Sequence, residues 1–292
     1  MRQRAVPPEA VGVAVLTLHN IAVHRVLPAP ADAALNLATA VGLTAFAGRI
    51  GCSRADLGIR AEDLNSGLRT GLWAAAVATG GVAVGAALPA TRGFFDDRRL
   101  SDVGRAEAVY HVALRIPLAT ALAEELLFRG ALLALLGRRR PPVVAVLWTS
   151  LLFGAWHVLP TIDHYQGNAA SALVADVGRG RRLAVLAAML STTGAGGVFA
   201  WLRLRSHSVL APVLAHAAVN MSAYLAGRWS SASGEKWTST VSSGRRSSAS
   251  ARAASTRRSG SVSGGWTRLR GHNRLASTTL ISAAYNSMRA LR

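Results

Sequence analysis

The polar residues that interrupt long apolar runs are the candidates for chemistry in this sequence. Glu124, Glu125 and Arg129 lie in Ala123-Glu124-Glu125-Leu126-Leu127-Phe128-Arg129-Gly130. His157 closes Phe153-Gly154-Ala155-Trp156-His157, and His216 and Asn220 bound His216-Ala217-Ala218-Val219-Asn220. Charge within hydrocarbon is costly, and ionisable residues there usually line a site or pair with one another. Glu125 and Arg129 are four apart, share a helix face and neutralise each other. Glu124 is turned by about 100° from Glu125. One carboxylate is thereby left to accept a proton while its neighbour anchors an arginine. His216 and Asn220, also four apart, face one way. Such a set suits proton exchange with water and hydrogen bonding to developing charge. Glu124, His157 and His216 also offer the nitrogen and oxygen donors of an open zinc site. There is no His-Glu-x-x-His run, so the usual one-helix zinc scaffold is missing.

Each motif has a plainer explanation. Glu-Glu-x-x-x-Arg alone is satisfied by a buried ion network or a short interfacial helix. A histidine near a helix end beside Trp156 is commonly interfacial. Two polar residues on one face of an apolar helix are satisfied by interhelical hydrogen bonds.

The elements that must position these residues are membrane helices. The chain has 292 residues, 51% of them hydrophobic and 16% charged, with a mean hydropathy of +0.29. A soluble domain would carry about 25% charge. The apolar runs are continuous rather than alternating, which argues against a β-barrel. The fold class expected is all-α, a polytopic transmembrane bundle of about seven spans. The spans run from Ala10 to Leu27, Ala33 to Ile50, Gly67 to Leu88, Ile116 to Leu136, Val143 to Leu159, Leu183 to Leu202 and Val209 to Ala226. The first, broken by His19, Asn20 and His24, is the least regular. The run Gly194-Ala195-Gly196-Gly197 suits small-residue helix packing better than a nucleotide loop.

Basic residues at Arg2 and Arg4, Arg49 to Arg69, Arg138 to Arg140, and Arg203 and Arg205 mark a cytoplasmic edge and a cytoplasmic N-terminus. Measured from that edge, Glu124, His157, His216 and Asn220 all lie roughly 16 to 23 Å deep at about 1.5 Å per residue. Three helices thus place polar groups in one layer. The localisation expected is a cell membrane, crossed several times.

The formal net charge is +19, and more than half of the excess lies after Gly227. Residues 228–292 are rich in Ser, Arg, Gly and Ala without apolar periodicity, and read as a disordered tail. Seven spans from a cytoplasmic start leave this basic tail outside, against the charge rule, which favours a stretch not native in character, such as a frameshifted gene end, over a tail that crosses back or a miscounted span; the functional alternative is a basic tail binding anionic lipid or nucleic acid. The high pI therefore gives no ground to expect a nucleic-acid partner for the membrane core. The single cysteine, Cys52, excludes an intramolecular disulfide. No cleavable signal peptide is expected, because no small-residue cleavage site follows the first apolar run.

Taken in order, Glu124-Glu125-x-x-x-Arg129, Phe153-x-x-x-His157 and His216-x-x-x-Asn220 resemble the CAAX protease and bacteriocin-processing (CPBP, or Abi) family of intramembrane endopeptidases, which includes the Rce1-type prenyl protein proteases. The flanks Leu151 to His157 and Leu210 to His216 are similar to that family, as is Ala55-Asp56-Leu57-Gly58-Ile59-Arg60. The resemblance divides the chain into N-terminal helices (1–55), a catalytic membrane core (56–227) and the tail (228–292), and the family usually has a further span where the tail stands. It implies an intramembrane endopeptidase acting on a peptide or membrane-protein substrate within the lipid bilayer. In that reading Glu124 and His157 orient and deprotonate water, His216 and Asn220 donate to the oxyanion, and Glu125, Arg129 and Phe153 support them. A metal-free glutamate mechanism is preferred, with a divalent metal such as zinc on Glu124, His157 and His216 (a metalloprotease) as the alternative. The Ala- and Arg-rich composition with short loops looks bacterial, where prenylated substrates are not expected and bacteriocin maturation or immunity is the looser guess. The competing readings are a catalytically inactive membrane scaffold or bacteriocin-immunity-type binding protein of the same fold, and a proton-coupled transporter, for which no inverted repeat is evident. Oligomeric state is not readable.

Overall fold

The computed structural model describes residues 6–27, 31–100, 102–164 and 180–231. Seven long helical segments appear there, one at each apolar run: α1 (Pro8–Ile21, continued by Ala22–Val26), α2 (Asp32–Arg49), α3 (Leu64–Ala87), α4 (residues 105–137), α5 (Pro142–Trp156), α6 (Gly180–Ser206) and α7 (Leu210–Ser231). The all-α membrane bundle is as expected; among the described residues, length and apolarity alone support four of the seven expected spans. Arg54–Ala87, Pro142–Asp163, Gly180–Ser206 and Leu210–Ser231 are long and apolar enough to cross a bilayer. α1 is short at 14 residues, α2 has 18 with Asp32 and Arg49 at its ends, and α4 carries Glu124, Glu125 and Arg129 at its middle. The outer surfaces are apolar where lipid would lie, with Trp73, Trp148 and Trp201 all more than half exposed.

α4 is the axis of the bundle. Its residues Leu127, Phe128, Arg129, Ala131 and Leu132 are at most 1% exposed, and α1, α2, α5 and α6 pack around it. Pro117 stands inside α4 and has no N–H to give the preceding turn. The backbone winds wider around it over His111–Leu122, with Ala123 N–H bonding back to Leu118, and a separate widened stretch follows over Leu126–Leu132. Expanded turns of this kind recur at functional sites.

α5 and α6 meet through glycine. A Cβ at Gly154 would stand 2.6 Å from the Met189 carbonyl, and one at Gly196 3.1 Å from the Ser150 Cα. Within Gly194-Ala195-Gly196-Gly197, Gly196 makes the close approach while Gly194 faces open space.

At one end of the bundle, Ser53 caps the short helix Arg54–Leu57 in a reciprocal box with Asp56. Gly58 then takes a left-handed conformation, φ +69°, which glycine adopts without steric cost. Its carbonyl accepts the Val209 N–H at 2.9 Å, while Arg203 Nη2 donates to the carbonyls of Ala55 at 2.8 Å and Asp56 at 2.9 Å. This turn fastens the α6–α7 connection. α3 leans on the same point: a Cβ at Gly67 would meet Ser208 at 2.6 Å, and one at Gly71 the Ala211 Cα at 3.0 Å.

Two boundaries differ from the sequence reading. The fifth apolar segment is interrupted at His157, and the chain resumes helix over Val158–His164. The seventh continues past Ala226 to Ser231, because Arg228 Nη1 donates to the Val103 carbonyl and Ser231 Oγ to that of Asp97 at 2.9 Å. Residues 228–231 are therefore helix rather than tail. Residues 232–292, and the sequence reading of them, lie outside the described residues, as do Arg2, Arg4 and most of the loop before α6.

Candidate active site

The site is built around α4, whose middle turn carries Glu124, 4% exposed, and Glu125 and Arg129, both fully buried. Arg129 Nη1 donates to Glu125 Oε1 at 3.0 Å, the pair expected from the four-residue spacing. Its Nη2 donates to the Gly196 carbonyl of α6 at 3.1 Å. The guanidinium also lies over aromatic faces, 4.1 Å from the Phe153 centroid and 5.3 Å from that of Phe199. A cation that leaves water needs such compensation: a carboxylate, a carbonyl and π faces together.

His216 of α7 reaches the same two carboxylates. Its Nδ1 donates to Glu125 Oε1 at 2.8 Å, and its Nε2 stands 3.9 Å from Glu124 Oε2. Phe199 stacks on the imidazole with ring centres 5.0 Å apart and planes 19° from parallel. Glu125 Oε1 thus holds both a guanidinium and an imidazole, which fixes the histidine ring and directs its Nε2 toward Glu124.

Glu124 differs from its neighbour. Its Oε1 accepts one long hydrogen bond, 3.3 Å, from Trp156 Nε1, and its Oε2 is buried without a hydrogen bond. Trp156 is the last residue of α5 and the turn at His157 follows it; the sequence reading gave this indole no contact of its own.

His157 is 2% exposed and its Nδ1 donates to the Phe153 carbonyl at 2.8 Å, leaving Nε2 as the free nitrogen. No hydrogen bond joins it to Glu124, so the Glu124–His157 couple expected from sequence is not a direct contact; the histidine touching the glutamates is His216. Phe153 packs edge-on against His157 at 4.7 Å and His216 at 6.0 Å, and so separates the two imidazoles. Asn220, one turn beyond His216, is fully buried with both amide atoms unpartnered.

A cavity of about 500 Å³ adjoins these groups. Phe153, His157, His216 and Asn220 form one wall, and α3 and α6 supply an apolar remainder that includes Trp73 and Phe199. Buried polar atoms without partners are rare in native proteins and ask for a ligand or water. Here Glu124 Oε2 and the Asn220 amide are such atoms.

The donors do not fit a metal ion as arranged. Among the described residues no three His, Cys, Asp or Glu side chains converge on one point. Of the three proposed ligands, His157 is held away by its bond to Phe153, and only His216 and Glu124 approach each other.

Three partners escaped the sequence reading, Trp156, Phe199 and the Gly196 carbonyl. For the last two the only signal was the run Gly194 to Gly197, through the close helix approach it permits.

Residues 107–222 match the family model described as type II CAAX prenyl endopeptidase Rce1-like. The match includes Glu124, Glu125, Arg129, Phe153, His157, His216 and Asn220, and it agrees with the resemblance drawn from the three motifs. No curated protein and no solved structure matches the chain.

Proposed function

Starting from a membrane-embedded core that matches the Rce1-like protease family, we propose that the chain is an intramembrane endopeptidase whose water is activated by Glu124. The observation that carries this is the contrast between the adjacent glutamates. Glu125 is consumed by Arg129 and His216, whereas Glu124 keeps an oxygen without a hydrogen bond facing His216, which lines the cavity.

Peptide hydrolysis requires a proton acceptor for water, donors for the oxyanion and a proton for the leaving amine. Glu124 Oε2 takes the proton from water, and the hydroxide formed adds to the scissile carbonyl. His157, with Nδ1 given to Phe153, presents Nε2 as a lone-pair acceptor that orients the water in the cavity. Asn220 donates its free amide N–H to the oxyanion. His216 joins it only with a proton on Nε2, because Nδ1 already donates to Glu125; Glu124, 3.9 Å away, is the group placed to supply one. Collapse of the tetrahedral intermediate returns a proton through Glu124 to the amine. Glu125 and Arg129 hold His216 in register and touch no reacting atom.

The apolar cavity walls suit a peptide flanked by hydrocarbon, whether a prenyl group or a membrane helix. The test uses the full chain in liposomes with two internally quenched peptides, one ending in a farnesylated CAAX sequence and one an unmodified apolar helix. Glu124→Gln and His216→Ala are expected to reduce cleavage at least about 1,000-fold while insertion and folding persist. Undiminished cleavage in both variants defeats the proposal. The metal question has its own arm: chelator is expected to leave the rate unchanged.

A further inference from the structure

Behind Glu124, on the side away from His216, lies a second polar cluster outside the matched segment. Its members are His19 and Asn20 of α1 and Asn36 and Thr39 of α2. His19 is 5% exposed and Asn20 8%. The His19 ring lies flat on the Trp156 indole, with centres 5.4 Å apart and planes 9° from parallel. Asn20 Nδ2 donates to the Trp156 carbonyl at 3.0 Å, at the point where α5 ends. Trp156 is thus gripped at its backbone and on its ring face, and among the described residues its Nε1–H makes the only hydrogen bond to Glu124.

The His19 ring is itself fixed. Nε2 faces Asn36 Oδ1 at 2.8 Å, and an amide oxygen only accepts, so Nε2 carries the proton. Nδ1 then accepts from Thr39 Oγ1 at 2.9 Å. Asn36 Nδ2 donates to the Ala119 carbonyl of α4 at 3.0 Å, closing a loop that returns to the helix bearing Glu124. Every described polar atom of the His19 ring is engaged, and none faces the 500 Å³ cavity. A histidine and two amides inside an apolar bundle are not needed to fill space. Apolar residues of equal volume do that without a set of hydrogen bonds to satisfy.

We infer that His19 and Asn20 are positioning residues that act through Trp156, holding its indole N–H on Glu124 Oε1 so that Oε2 faces His216. The inference rests on Glu124 being the base. It assigns a role in the reaction to α1, which the three motifs leave without one.

The first experiment is kinetic, with the full chain in liposomes and the farnesylated quenched peptide. His19→Ala, Asn20→Ala and Trp156→Phe are each expected to lower kcat about 10- to 100-fold, as misplacement of a reacting group does, with KM unchanged within about 2-fold. His19→Phe, which keeps a ring over the indole, is expected to regain most of the loss. Because both residues act through one indole, Asn20→Ala added to Trp156→Phe costs little beyond Trp156→Phe alone. A packing role gives additive losses instead. Additive losses, or unchanged kcat in His19→Ala and Asn20→Ala, overturn the inference.

The second experiment needs no turnover. In a chain labelled with 5-fluorotryptophan, the resonance that vanishes in Trp156→Phe is expected to shift in His19→Ala, Asn20→Ala and Glu124→Gln. A Trp156 resonance that moves with Glu124→Gln but not with either α1 variant also overturns it. If Glu124→Gln still cleaves while the resonance moves in all three, the catalytic reading fails and the α1–Trp156–Glu124 link stands.

Discussion

Glu124 separates two polar regions of different construction. On one side Glu125, Arg129 and His216 are charged or ionisable, fully or nearly fully buried, and braced by Phe153, Phe199 and a glycine carbonyl. On the other, His19, Asn20, Asn36 and Thr39 form a neutral hydrogen-bonded set. The difference lies in what happens when one member is removed. A buried charge without its partner keeps its full desolvation cost, whereas an orphaned neutral group costs far less. The charged side is therefore all-or-nothing, and the neutral side can be graded.

The sharpest way to break this comparison is Arg129→Met. It strands Glu125 between an imidazole and apolar rings and is expected to lower stability by about 3–5 kcal/mol, read as unfolding midpoint in detergent. Adding Glu125→Gln should recover part of that loss, since both charges are then gone; a further loss instead would show that the two regions obey the same rule. Next in size is Gly196→Ala. Its Cβ would stand 3.1 Å from both Arg129 Nη2 and the Ser150 Cα, and the helix backbone cannot yield easily. Overpacking of this kind costs about 1–3 kcal/mol, and cleavage should fall with it. Smaller again is Asn36→Ala, which releases His19 Nε2 and the Ala119 carbonyl; about 1–2 kcal/mol is expected. A cost for Asn36→Ala equal to that of Arg129→Met would erase the distinction. At the bottom, separating the half-exposed Arg60 from the nearly buried Asp63 by Arg60→Gln should move the midpoint least of all.

Legibility in the sequence followed polarity contrast. Glu124, Glu125, Arg129, His157, His216 and Asn220 stand out because each is polar in an apolar run, and depth counting placed them in one layer before any packing was known. Spacing also predicted the Glu125–Arg129 bond, which survives the widened turn because residues four apart still stack there. Direction was harder to read. Nothing local says that the Trp156 indole reaches Glu124, because the groups that hold it lie on α1 and α4. Nor does the sequence say which imidazole meets the glutamates, because Phe153 decides it by standing between them. Gly196 contributes a carbonyl, which every residue has, and Phe199 a ring in an already apolar helix; neither contrasts with its surroundings. The polar residues of α1 looked like flaws in a span because their partners lie on α2 and α5.

The fastening at Gly58 has a mechanical consequence. α3 touches the α6–α7 connection closely at Gly67 and Gly71, yet by Gly80 and Gly81 a Cβ would meet nothing within 4 Å. α3 is also held at its other end, where Val82 and Ala86 are buried in a cluster with Phe95 and Ala226. The cavity lies between the two holds, along Val77 and Gly81, so α3 is a beam fixed at both ends. Extra room beside it comes from bowing at mid-span, while the turns bearing Gly67 and Ala86 stay still.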